Sequence, residues 1–144
     1  MKDNSIGMEL RSLNNLIMRY VENHFHKKTV DTITGTNGWI IGYIADNEGK
    51  DIYQKDLEKE FSVTRSTASK VINLMVKKNL IERQQVPHDA RLKKLVLTER
   101  AKKLSAIMYQ DKCEMNNVLT KGFTHEELET LHAYIHRMKE NLRD

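Results

Sequence analysis

The sequence has little of what would cross-link, kink or break the chain. Its 144 residues include one cysteine, one proline and six glycines. A single cysteine cannot form an internal disulfide, and a chain of this length can bury a sizeable core without one. Because proline and glycine disfavour helix interiors, their scarcity predicts a mainly α-helical protein that forms a single domain over residues 1–144.

Long apolar runs are missing too. Residues 1–13 contain no sustained apolar segment of the kind that a secretory signal peptide carries. No stretch approaches the roughly 18 consecutive apolar residues that a membrane span needs. We therefore expect a cytoplasmic protein without a membrane partner.

Signatures of catalysis are also missing. The sequence has no glycine-rich phosphate loop, no metal-hydrolase motif, and no serine or cysteine with a recognisable base. It therefore predicts a protein that is not an enzyme, has no catalytic residue and needs no cofactor.

Positive charge is present and unevenly distributed. The formal net charge is +4, but residues 55–103 hold 13 Lys and Arg against 6 Asp and Glu, a local +7 that leaves −3 for the rest. Clustered cations favour a polyanionic partner, because neutralising phosphates releases counterions. The alternative is a solvated helix face.

The basic region has the outline of a helix-turn-helix. A break at residues 29–38 and a short buried helix at 39–45 precede it. Residues 54–61 predict a short helix, 62–64 a connector and 65–78 a second, core-facing helix. The apolar positions of this second helix are Ala68, Val71, Ile72, Met75 and Val76. Its other side is small, polar and basic near the N-terminus, as in helices that enter the major groove.

A β-hairpin is predicted directly after the second helix. Asn79 suits the left-handed conformation that ends a helix. Residues 80–86 and 93–97 predict two short strands, joined by a loop at 87–92. A helix-turn-helix followed at once by a hairpin is a winged helix.

Both ends of the chain predict long amphipathic helices. Residues 6–25 carry apolar side chains at alternating spacings of three and four, and a further helix, capped by Thr98, is expected to extend to about residue 120. Thr124 and Glu127 form a capping box before a third stripe at 128–142. These seams exceed what a winged helix needs to cover, so we expect a homodimer with a helical dimerisation region built from both termini.

Three stretches follow a known pattern in order and spacing: residues 62–83, the Asp-Ala-Arg of 89–91 and the Leu-Val-Leu-Thr-Glu of 95–99. In them the chain resembles the MarR family of bacterial transcription regulators over nearly its whole length. The resemblance implies a sequence-specific repressor that binds pseudo-palindromic double-stranded DNA as a homodimer and is released by a small ligand. It places the DNA-binding lobe at about 35–98 and the dimerisation helices at about 6–28 and 99–143.

Three positions depart from the family pattern, each having another residue where the pattern has glycine. With Ser62 in the turn, either the serine accepts left-handed geometry or the turn differs. Asn79 stands at the exit of the recognition helix, and Arg100 follows the leucine-threonine pair. None of the three removes a candidate DNA-contacting group.

Eight residues are candidate DNA contacts, five at the start of the recognition helix and three in the wing: Arg65, Ser66, Thr67, Ser69, Lys70, Asp89, Arg91 and Lys93. Side chains in the first helical turns reach base edges, and main-chain amides there meet phosphates. We expect Arg91 to enter an adjacent minor groove, with Asp89 holding its guanidinium by a charge-assisted hydrogen bond. The alternatives are a solvated polar helix face and an exposed loop ion pair.

The family resemblance also implies a small-molecule pocket, for which the candidates are Tyr20, His24, Trp39 and Tyr43. Aromatic rings with one imidazole suit a small aromatic or carboxylate effector. The alternative is that Trp39 and Tyr43 are simply core residues.

Cysteine and histidine give little support for sensing. Cys113 lies within a long predicted helix, so we expect a buried structural cysteine. His24 and His26 lie in the first helical region and His132 and His136 four apart in the last, without an acidic or cysteine cluster, so no metal site is predicted. A redox- or metal-sensing variant of the regulator is the alternative.

A winged helix used as a protein-interaction module is the rival from another class. Such a module should lack a polar, basic recognition face and a wing arginine, and this sequence has both. The sequence therefore favours DNA binding, which should weaken linearly with the logarithm of salt concentration.

Overall fold

A computed structural model of the chain describes residues 5–143, which form seven helices and one β-hairpin. The prediction of a mainly α winged helix with a two-stranded wing is confirmed. In chain order the elements are α1 (Ile6–His24), α2 (Lys27–Thr34), α3 (Gly38–Asp46), α4 (Gln54–Phe61), α5 (Arg65–Lys77), β1 (Ile81–Val86), β2 (Asp89–Leu97), α6 (Glu99–Leu119) and α7 (His125–Leu142).

The chain divides after Asp111 into two compact units. The first contains α1 to α5, the hairpin and the first part of α6, and the second contains the remainder of α6 and α7. Among the helices of residues 5–143, none is both long and apolar enough to cross a membrane.

The core of the first unit is formed by α2, α3, α4, α5, the hairpin and the start of α6. Its largest fully buried apolar side chains are Ile40, Ile41, Leu57, Ile72, Met75, Leu80 and Ile81. On α5 the buried residues are Ala68, Ile72 and Met75, the spacing of a single helix face. Burial of this face determines which side of α5 remains available to a partner.

The helix α2 replaces a predicted break. The prediction of a break at residues 29–38 was wrong, because Lys27–Thr34 is helical. Val30 and Thr34 are buried one turn apart, and the Thr34 hydroxyl donates to the Val30 carbonyl at 2.8 Å. Gly35 then ends the helix with a φ of 62°. Burial of one face outweighs the weak helix propensity of Val and Thr.

Two residues other than glycine adopt the left-handed conformation in the helix-turn-helix. Ser62 ends α4 with a φ of 53°, and Asn79 follows α5 with a φ of 58°. Of the two alternatives for the turn, Ser62 accepts the left-handed geometry, at a steric cost of roughly 1–2 kcal/mol. The prediction for Asn79 is confirmed.

The wing is a tighter hairpin than the sequence predicts. Strand β2 begins at Asp89, so only residues 87–88 separate the strands, and the predicted loop over 87–92 was wrong. The strand begins four residues earlier than predicted because residues 89–92 are extended and do not form a loop. Asp89 and Arg91 therefore belong to β2.

The hairpin also changes register near its turn. Gln85 pairs with Lys93, whereas the next residue, Val86, pairs with Asp89. Residues 90–92 consequently have no counterpart on β1. An irregularity of this kind bends a strand and redirects its side chains.

Predicted caps begin both long C-terminal helices. The Thr98 hydroxyl accepts a hydrogen bond from the main-chain N–H of Ala101 at 3.2 Å, which caps α6. At α7, the Thr124 hydroxyl accepts from the Glu127 N–H at 3.1 Å, and the Glu127 carboxylate accepts from the Thr124 N–H at 2.9 Å. Both predictions are confirmed.

The helices α1 and α7 each carry exposed apolar side chains. Within the described residues, neither helix has a buried residue. The exposed apolar side chains of α1 include Ile6, Met8, Leu10, Leu13 and Leu16, and those of α7 include Leu131, Tyr134, Ile135, Met138 and Leu142. Large exposed apolar surfaces are typical of interfaces.

Candidate nucleic-acid interface

The first turn of α5 is fixed by a threonine cap. The Thr64 hydroxyl accepts from the main-chain N–H of Thr67 at 3.2 Å and donates to the Thr67 hydroxyl at 3.0 Å. The Ser66 hydroxyl lies 3.2 Å from the same Thr64 oxygen. Since the helix N-terminus carries partial positive charge and unpaired amides, a rigid first turn suits phosphate binding.

The candidate residues of α5 lie mainly on its exposed side. Arg65, Ser66, Thr67 and Lys70 are exposed, and Ser69 is partly buried. The Gln54 side chain donates to the Arg65 carbonyl at 3.3 Å, so α4 supports the start of α5. This arrangement leaves two cations and two hydroxyls facing solvent at one end of the helix.

In the wing, Asp89 positions the main chain of Arg91. The Asp89 carboxylate accepts from the main-chain N–H of Arg91 at 2.8 Å. We expected it to hold the Arg91 guanidinium, and that prediction was wrong: beside a turn, an aspartate carboxylate commonly accepts from the main-chain N–H two residues on, as it does here. Arg91 is exposed, and Asp89 fixes its backbone.

A groove brings the helix and wing candidates together. It has a volume of about 480 Å³ and lies between α4, α5 and β2. Its basic lining residues are Lys55, Arg65, Arg83, Arg91 and Lys93, and its acidic lining residue is Glu58. A concave surface with this excess of cations focuses positive electrostatic potential, which attracts a polyanion.

Lys94 and the groove residue Arg83 both have partners within the protein. Lys94 forms an ion pair with Asp51, with 3.5 Å between Nζ and Oδ1. The Arg83 guanidinium donates to the Asn73 side chain. Sequence reasoning missed Lys55, although it lies in the same basic region and lines the groove.

The four candidate pocket residues form two separate aromatic contacts. The Tyr20 and His24 rings are stacked with centroids 3.9 Å apart. Trp39 and Tyr43 both contact Phe61, at centroid distances of 4.5 and 5.5 Å. Sequence reasoning missed Phe61 as part of this cluster, because its spacing of four from Leu57 predicts only that both residues lie on one apolar face of α4.

Burial raises the pKa of Tyr43, and the negative charges of Glu60 and Asp56 raise it further. Tyr43 and Trp39 are partly buried and pack against the core. The interpretation of these two residues as core is therefore compatible with the structure, and the hydroxyl of Tyr43 stays neutral near pH 7.

The expectation for Cys113 was wrong. Cys113 is exposed, because the part of α6 that carries it contributes no buried residue to the core. Within residues 5–143, no group of three or more His, Cys, Asp or Glu side chains is placed to hold a metal ion. His26 instead contacts a carboxylate, with its ring Nδ1 3.0 Å from Asp111.

A family model and a curated relative both match this chain. A family model with the description "MarR family" matches residues 31–92. The uncharacterized HTH-type transcriptional regulator YybA of Bacillus subtilis (strain 168) is 28% identical over 137 residues, covering 95% of this chain and 85% of that protein.

Two solved structures extend the likeness to the whole fold. The transcription regulator MarR from Oenococcus oeni PSU-1 is 32% identical with a TM-score of 0.80, covering 94% of this chain and 99% of that one. A MarR family regulator from Listeria monocytogenes, crystallised with 26mer DNA, is 25% identical with a TM-score of 0.76, covering 99% and 90%.

Proposed function

Since the chain belongs to the MarR family of transcription regulators, we propose that it is a homodimeric repressor that occupies pseudo-palindromic promoter DNA. In this proposal α5 enters the major groove and the β1–β2 wing contacts the adjacent minor groove. Its activity is binding, with no catalytic residue and no cofactor, and it acts in the cytoplasm, where promoters are located.

The basic groove is the observation that carries the proposal. Arg65 at the start of α5 and Arg91 and Lys93 on β2 line one concave surface. Guanidinium groups suit bidentate contacts with guanine and with narrow minor grooves, and an ammonium suits phosphate. The Listeria monocytogenes relative, whose crystals contain 26mer DNA, supports the same use of the fold.

The exposed stripes of α1 and α7 support the proposed homodimer. Each helix presents a row of apolar side chains at helical spacing, and neither buries a residue within the described chain. A second copy of the chain would cover these side chains and set two α5 helices at a fixed separation. We accordingly assign dimerisation to about 6–28 and 99–143, and DNA binding to about 35–98.

Transcription from a defined promoter tests the repressor role. A binding site is first obtained by selecting from random duplex DNA with the wild-type protein, and is then placed across a bacterial promoter. Added protein should lower the amount of transcript, because it excludes the polymerase. An increase in transcript would contradict repression, and no effect at saturating occupancy would contradict promoter control.

We also propose that a planar aromatic carboxylate is the effector. Tyr20 and His24 offer a stacked pair, and Trp39 and Tyr43 a second aromatic surface. Trp39 is the single tryptophan, so its fluorescence reports binding nearby. Titration with 4-hydroxybenzoate should change the Trp39 fluorescence in a saturable way. His24→Ala should weaken this binding, and Arg19→Ala should leave it intact. A change unaffected by His24→Ala would contradict the assignment.

A further inference from the structure

The C-terminal end of α5 is bound to the start of α6 through three consecutive carbonyls. Arg100 Nη1 donates to the Lys78 carbonyl at 2.6 Å. The Thr98 hydroxyl donates to the Asn79 carbonyl at 2.8 Å, and the Thr98 main-chain N–H donates to the Leu80 carbonyl at 3.1 Å. The exit of the recognition helix is thus fixed by two residues of the next helical segment.

Lys78 also connects this end of α5 to α2. Its Nζ lies 3.4 Å from the Ile33 carbonyl, in the last turn of α2. Lys78 therefore offers its ammonium to one helix terminus while its own carbonyl accepts from Arg100. The end of α5 is held from two sides, by α2 and by α6.

Both cations lie where helix electrostatics favours them. The last carbonyls of a helix have no partner within the helix and carry partial negative charge. Arg100 and Lys78 supply charged donors to such carbonyls at the ends of α5 and α2. A glycine at position 100, as in the family pattern, has no side chain that could make this bond.

We propose that Arg100 is a positioning residue for DNA recognition. It acts through Lys78, by fixing the C-terminal end of α5 so that the exposed N-terminal residues of this helix meet the bases in one orientation. This inference rests on the proposed function. Arg100 itself makes no contact with DNA.

The test compares Arg100→Ala with Lys103→Ala, which removes the same charge from an exposed position of the same helix. Affinity is measured for the selected site and for random duplex DNA at several salt concentrations. In Arg100→Ala, the ratio of specific to random affinity should fall about 3- to 10-fold, the effect of losing one hydrogen bond. The salt slope should stay unchanged, because no phosphate contact is lost. Lys103→Ala should keep the wild-type ratio.

Three results would overturn the role of Arg100: an unchanged ratio, an equal loss in Lys103→Ala, or a smaller salt slope with equal losses on both DNAs. The last result would make Arg100 a phosphate contact. A wild-type protein without sequence preference would instead overturn the proposed function itself. If circular dichroism shows that Arg100→Ala is unfolded, Arg100→Met replaces it. Methionine keeps the aliphatic part of the side chain but has no hydrogen-bond donor, and the same results are expected of it.

Discussion

At the residue scale, Arg91 is the sharpest test of the wing. Asp89 holds its main chain, and its side chain is exposed beside the basic groove. A guanidinium gains most in a narrow, electronegative minor groove, which is typical of A·T-rich DNA. We expect Arg91→Ala to weaken binding to A·T-flanked sites by about 1–3 kcal/mol. Arg91→Lys should recover only part of the lost affinity, because an ammonium lacks the planar fork of the guanidinium.

The measurement for Arg91 is a titration of duplexes that differ only in flank composition. Thermal unfolding of the variant should match that of wild type, since an exposed side chain adds nothing to the core. Arg137→Ala, which removes the same charge from α7, serves as the control. If Arg91→Ala binds every duplex as tightly as the wild-type protein does, Arg91 plays no part in DNA binding and the wing is a passive loop.

Tyr43 gives a prediction for alkaline pH. Burial, Glu60 and Asp56 raise the pKa of Tyr43 above its ordinary value of 10.0. Between that value and the higher folded pKa, the unfolded state loses the proton while the folded state keeps it, so stability falls as pH rises. The Tm of wild type should therefore decrease more steeply above pH 10 than that of Tyr43→Phe. Parallel decreases in the two proteins would refute this.

At the element scale, the recognition helix depends on its N-cap. Thr64 accepts the Thr67 N–H and lies within hydrogen-bonding distance of two further hydroxyls. Replacing a threonine cap by alanine typically costs about 1 kcal/mol of the free energy of unfolding. We expect this loss for Thr64→Ala in urea denaturation. Thr130→Ala, in the exposed middle of α7, should be neutral or stabilising. If it loses as much of the free energy of unfolding as Thr64→Ala does, the loss in Thr64→Ala is not due to the cap.

The elements that could be predicted were those with strong local signals. The 3.6-residue period of Ala68, Ile72 and Met75 predicted α5, and Thr124 with Glu127 predicted the start of α7. The helix α2 could not be predicted, because its β-branched residues disfavour a helix until the core buries one face.

The candidate site was predictable in composition and only partly in geometry. The sequence indicated which cations belong to the helix and wing, because clustered charge and the family pattern are local features. It could not indicate that β2 begins at Asp89, nor that this carboxylate bonds a main-chain N–H. It also could not reveal the bond from Arg100 to the Lys78 carbonyl, since tertiary packing brings these residues together.

At the scale of the whole molecule, dimerisation should depend on the exposed stripe of α7. Leu131 and Ile135 lie one turn apart and are 46% and 38% exposed. Burying a lysine in an apolar interface is costly, so the double change Leu131→Lys with Ile135→Lys should yield a monomer without specific DNA binding. Light scattering at micromolar concentration measures the mass, with Glu129→Lys as the control for added charge. A wild-type protein that is already monomeric there would refute the proposed dimer.

In the proposed complex, one dimer reads two half-sites with two copies of α5. Two-fold related recognition helices contact half-sites about 10–10.5 base pairs apart, centre to centre. Inserting about five base pairs between the half-sites turns one of them by about half a helical turn, so a rigid dimer can engage only one. The decisive measurement is the affinity of wild-type protein for the selected duplex with and without this insertion. We expect the insertion to reduce the affinity to nearly that for random DNA. Equal affinity for both duplexes would contradict the proposed complex.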